Sequence, residues 1–98
     1  MTEKERNQTI IEISNLLSDA GNNAEQIDFC TGNIMEYTQP CAYEQYEEEE
    51  RPLYFWHDKD TICKYAEIQR ALYFDLIVPK LEKAQELLET ILQEGADA

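Results

Sequence analysis

Nine residues, Ile10, Ile13, Leu17, Ala20, Ala24, Ile27, Thr31, Ile34 and Thr38, succeed one another by steps of three and four without a slip. A strand would alternate every second residue; this is the 3.5-residue repeat of a helical seam. The register crosses Gly21, Asn22 and Asn23, a run that normally stops a helix, and Asn22 with Glu25 could cap a new one. Because the apolar spacing is kept across the run, the sequence predicts one nearly continuous helix over about 3–38, kinked near 21–23. A true break there is the alternative. Thr2-Glu3-Lys4-Glu5 fits a capping box and sets the start.

A second helix is expected over about 60–94. From Ile62 to Gln93 the chain is rich in Leu, Ala, Glu, Lys and Gln, which are strong helix formers; Asp58 or Asp60 could cap the start, and Gly95 closes it. Pro79 lies inside, without an amide donor and with a ring that crowds the previous turn, so the helix should bend there or restart with Pro79 in its first turn. Projected at a constant helical angle, the apolar residues from Ile62 to Leu92 spread over roughly 200°, about twice an ordinary amphipathic stripe.

Between the helices, residues 39–59 lose the helical period. This connector holds Pro40 and Pro52, four consecutive glutamates and a cluster of aromatic side chains, and Leu53-Tyr54-Phe55-Trp56 could form a short strand. It is long for a link between packed helices, so it either packs on the bundle or carries function. Gly21 and Pro79 both lie roughly 27 Å from the connector end at ~1.5 Å per residue. The expected fold is therefore all-α: an antiparallel hairpin of two long, kinked helices in a single domain spanning 1–98. The over-wide face of the second helix calls for a cover, either a homodimer that completes a helical bundle or the connector folded back over it.

Charge narrows the function. Asp and Glu number 21 against 8 Lys and Arg, for a formal net charge of −13. Direct binding of DNA or RNA would be repelled instead of driven by counterion release. Few acids have a base four residues on, and Glu86, Glu89, Glu94 and Asp97 crowd a helix C-terminus, where the dipole favours cations. The longest apolar run, Leu76 to Pro79, is far below the ~18 residues of a membrane span. No signal peptide is expected from Met1 to Arg6, so the cytoplasm, of a host cell if phage-encoded, is the expected compartment. Cys30, Cys41 and Cys63 then read as buried structural thiols; their spacing and the single His57 make a poor zinc site.

No cofactor and no metal is expected, and no catalysis. His57 and Asp58 are chain neighbours that rarely face one another, Ser14 and Ser18 lie within the first helix, and there is no glycine-rich phosphate loop. The candidate site is the connector. Tyr43, Glu44, Tyr46, Glu47, Glu48, Glu49, Glu50, Tyr54, Trp56 and Asp58 interleave carboxylates with the aromatic residues that supply interface hot spots. Tyr43 and Tyr46 are expected to be the exposed anchors, with Tyr54, Phe55 and Trp56 more suited to covering the hairpin end. A solvated acidic face is the plain alternative for the glutamates.

In size, acidity and lack of a catalytic motif, though in type alone and without a shared motif, the chain resembles the small inhibitors carried by phages and mobile elements, such as anti-CRISPR and anti-restriction proteins. Charge and helical shape lead to the same expectation, a non-enzymatic binding protein that occupies the basic groove of a nucleic-acid-handling partner, with rows of carboxylates imitating a phosphate backbone. Two other readings fit: a homo-oligomeric helical scaffold, able to hold a small ligand, and an immunity protein or antitoxin for a basic toxin.

Overall fold

A computed structural model describes residues 1–39 and 41–97, with nothing said of the side chains of the last two. Pro40 of the expected connector and the Asp97 side chain of the C-terminal acids lie outside that description. The described residues form α1 (Glu3–Thr38), α2 (Arg51–Ala71), a π-helical segment (Leu72–Ile77) and α3 (Val78–Asp97). The last three are contiguous, so two long helical stretches make up the protein. Its extents are 72 × 17 × 16 Å. With helices about 10 Å across, that cross-section holds two side by side and no third layer.

Helix α1 starts where Thr2 Oγ1 accepts a hydrogen bond from the Glu5 amide at 3.1 Å, which satisfies one of the free donors of the first turn. It runs unbroken past Gly21, Asn22 and Asn23. Apart from the half-buried Asn33 beside the seam, the side chains it turns inward are Thr9, Ile13, Leu16, Ala20, Asn23, Ile27, Cys30, Ile34 and Tyr37. This corrects the expected seam. Ile13, Ala20, Ile27 and Ile34 belong to it, but Ile10, Leu17, Ala24, Thr31 and Thr38 each sit one residue past a seam position and are exposed. The two registers share one heptad position, and the sequence is apolar on both sides of it. A polar pair decides between them: Lys80 Nζ donates to Asn23 Oδ1 across the two stretches, which draws Asn23 inward in place of Ala24.

Further cross-links fix the alignment. Gln69 Nε2 donates to the Ile27 carbonyl at 3.2 Å and to Thr31 Oγ1 at 2.6 Å, and the Met1 amino group lies 3.5 Å from Glu94 Oε2. Partners on α1 thus fall in number as those on the second stretch rise. Polar pairs at a helical seam select one register over its neighbours.

Apart from the half-buried Arg51, Lys59 and Val78, which flank the seam, the second stretch turns inward Asp58, Ile62, Tyr65, Gln69, Leu72, Ile77, Lys80, Ala84, Leu87, Ile91 and Glu94. Every step is three or four except one, from Leu72 to Ile77, which is five. The π segment absorbs that extra residue: the Val78 amide reaches back five residues to the Tyr73 carbonyl, so the seam faces α1 on both sides of the insertion. Pro79 accounts for its position. As the second residue of α3 it cannot donate to Asp75, and the wider turn relieves its ring against the preceding carbonyl. Part of the apparent 200° apolar face is this one-residue phase shift, which a projection at constant angle spreads into width.

Helix α2 begins at Arg51, not near residue 60, so the connector expected over 39–59 shortens to 39–50. Leu53, Tyr54, Phe55 and Trp56 are helical and form no strand, and Asp58 and Asp60 lie inside the helix instead of capping it. Two features bring the start forward: Pro52 sits in the first turn, where its missing donor costs nothing, and the glutamates that precede it favour the positive helix end. Of the three thiols only Cys30 is buried, at its seam position; Cys41 and Cys63 are exposed, contrary to expectation.

The core is thin. Ala20, Cys30, Ile77 and Ala84 are the buried apolar residues, and among the described residues no large side chain is fully buried. The accessible surface is 7553 Å², against about 5,800 Å² for a compact folded chain of this mass.

Candidate functional site

At ~1.5 Å per residue, the stretch from Arg51 to Asp97 is roughly 70 Å long and α1 roughly 54 Å. The Met1–Glu94 contact aligns them at one end. The excess length therefore falls at the other, where the first turns of α2 project past Thr38 and residues 41–50 fold beside them.

Aromatic contacts hold that fold. The Tyr46 ring stacks on Tyr54 with centroids 3.7 Å apart, Tyr43 meets Phe55 edge-on at 6.2 Å, and Arg51 Nε donates to the Tyr46 carbonyl at 3.1 Å. Tyr43 Oη donates to Asp58 Oδ2 at 2.9 Å. These contacts invert the expected exposures. Tyr43 and Tyr46 are half-buried, while Tyr54, Phe55 and Trp56 are exposed and cover no core. The physical reason is the overhang: with α1 already ended, only the connector tyrosines are near enough to be covered, and α2 turns the rest of its circumference to solvent.

What is left free is a different pair of anchors. Leu53 is 71% exposed and Trp56 66%; three residues apart on a helix, they share a face. With Tyr54 and His57 they line an open groove of about 360 Å³. Lys59 Nζ sits 4.0 Å from the centre of the Trp56 ring and covers part of it. In the connector that leads into this helix Glu44, Glu47, Glu48, Glu49 and Glu50 are all exposed, and among the described residues no ion pair engages any of them. Asp58 is half-buried and occupied by Tyr43, so it stands apart from the free carboxylates. Leu53 was absent from the expected set; its spacing to Trp56 is the signal that could have found it, once the segment is read as helix.

Burial comes first, and the hydrogen bond to Asp58 and its negative charge second, in pushing the Tyr43 hydroxyl from 10.0 up to about 12. The folded state thus keeps a proton that the unfolded chain releases near pH 10. The contact is fully stabilising below that pH and is lost as pH rises through about 12. In an alkaline absorbance titration one of the six tyrosines should ionise after the rest, and Tyr43→Phe should remove that late step. Asp58→Asn should move it down. A late step unchanged in Tyr43→Phe would assign it to another residue.

Among the described residues no three His, Cys, Asp or Glu side chains gather as metal ligands, and no helix is long and apolar enough to cross a membrane. Comparison with protein-family models, with curated proteins and with solved structures finds no match to this chain.

Proposed function

We propose that this is a non-enzymatic, acidic binding protein that blocks a basic, nucleic-acid-handling protein with the tip formed by residues 41–57. The observation that carries the reading is the juxtaposition at that tip of two exposed apolar anchors, Leu53 and Trp56, with the unpaired carboxylates of Glu47, Glu48, Glu49 and Glu50. Apolar anchors give a contact its affinity, and the surrounding field speeds encounter and rejects acidic partners. With a net charge of −13, the partner surface that complements it is strongly basic, as the groove of a nucleic-acid-binding protein is. An immunity protein facing a basic toxin would use the same physics. The fold that goes with this reading is an antiparallel hairpin, kinked near 21–23 and at Pro79, that pairs with a second copy.

A tagged pull-down from host lysate, at low and at high salt and read by mass spectrometry, tests it. Capture of a basic nucleic-acid-binding protein, released as salt rises, is the expected result; capture of the chain alone would overturn the reading. One observation favours a second reading, a self-assembling helical scaffold: the large accessible surface and thin core described above. That second outcome of the pull-down would favour it.

A further inference from the structure

The seam assigns heptad positions to both stretches. With Ile13, Ala20, Ile27 and Ile34 at a, the d positions are Leu16, Asn23, Cys30 and Tyr37, and the e positions are Ile10, Leu17, Ala24, Thr31 and Thr38. From Ile77 onward Ile77, Ala84 and Ile91 are a, and Leu81 and Leu88 are e; up to Tyr73, Ala66 and Tyr73 are e. All of these e residues are exposed, with Ile10, Leu17, Tyr73, Leu81 and Leu88 between 44% and 50%. A two-stranded seam needs apolar residues at a and d alone, whereas a third apolar position per heptad marks a helix that faces a bundle core.

The direction of the two stretches brings the rows together. When paired helices run oppositely, e of one lies beside e of the other, so both rows border one edge of the rod. The alignment that sets Gln69 against Ile27 puts Leu81 near the level of Leu17 and Leu88 near that of Ile10. Charge marks the same edge. From residue 10 to 38 on α1 and from 66 to 88 on the second stretch, no e position is charged, in a chain of net charge −13. The opposite edge carries Glu12 and Asp19 at g of α1. Lys83 at g of the second stretch offsets one of these acids, so the e-edge is the one along which two like-charged chains meet no fixed charge over these ranges.

We propose that a second copy of this chain packs on the e-edge, so that two hairpins close a four-helix bundle. This rests on the hairpin reading and names the face through which the copies meet. A two-fold contact is self-complementary by construction and needs no oppositely charged partner. The area agrees. The accessible surface exceeds that of a compact chain by roughly 1,700 Å², which is more than the ~800 Å² per partner of a standard interface and suits a permanent homodimer.

Light scattering coupled to size exclusion at micromolar concentration should give twice the 11.5 kDa chain mass. Leu17→Glu with Leu81→Glu should give the single-chain mass, with dimer association weakened at least about 100-fold and helical circular dichroism retained, since both side chains are exposed in the single chain. Ile68→Glu with Leu76→Glu, on the g-edge, should remain dimeric. If the Glu pair on the e-edge fails to fold, Leu17→Ala with Leu81→Ala carries the same comparison. A monomeric wild type, or any stoichiometry other than two, would overturn the pairing itself. A dimer that survives the e-edge changes and dissolves on the g-edge changes would keep the pairing and overturn the face.

Discussion

Deleting Asp75 in a Pro79→Ala background should leave the protein folded and melting within a few degrees of the parent, whereas deleting Ser18 should destabilise it severely. Both changes remove one residue from the middle of a long helix. The difference lies in what each does to the seam. The step from Leu72 to Ile77 is five residues, bridged by the π segment; without Asp75 it becomes four, the segment can close to an ordinary α-turn, and every inward residue on either side keeps its place. Pro79→Ala is needed because the α-turn would bring back the crowding that the wider turn relieves. Deleting Ser18 has no such reserve. Either Asp28 and Thr31 rotate into the places of Ile27 and Cys30, or Glu12 and Asn15 rotate into those of Ile13 and Leu16.

Each large apolar side chain lost from the seam costs about 1.5–3 kcal/mol, and two of them are a large part of a total stability of about 5–15 kcal/mol. At about 4–8 °C per kcal/mol, the Ser18 deletion should lower the melting temperature by more than about 12 °C. Circular dichroism melts of the two variants beside the parent decide the matter. Equal destabilisation by both deletions would show that the π segment is not a one-residue insertion in the repeat.

The same segment shows how far a one-dimensional pattern reaches. Helical period, the Thr2 start and the disruptive place of Pro79 are local properties, and they stand in the residue spacing. Phase is not local. Ile10 and Ile13 serve equally well as the start of a 3.5-residue pattern, and Lys80 across the interface, bonded to Asn23, marks the flank that turns inward. At the tip the failure has another cause. Tyr43 and Tyr46 looked exposed because no helical period protects them, yet they are covered by Tyr54 and Phe55. The relative lengths of two helices, which no single segment encodes, decided that outcome.

Two sets of substitutions at the tip should weaken capture of the basic partner with opposite salt signatures. Changing Glu47, Glu48, Glu49 and Glu50 together to Gln removes four exposed charges and no packing. Exposed charges act through a field that is screened over about 10 Å at 0.1 M salt. The loss should be greatest at low salt, on the order of 10-fold or more, and the salt dependence of binding should flatten. Leu53→Ser with Trp56→Ala removes the apolar anchors and leaves the field unchanged. Truncating such anchors in a desolvated contact typically costs about 2 kcal/mol or more, so capture should fall at least about 30-fold, and by a similar factor at every salt concentration. Tyr43→Phe serves as the control. That hydroxyl is committed to Asp58 inside the tip, so its loss should remove the late tyrosine ionisation and leave capture nearly unchanged. Were the Gln variant to bind with wild-type affinity and salt dependence while Tyr43→Phe failed to bind, the glutamates would be a solvated face and the connector tyrosines would be the contact.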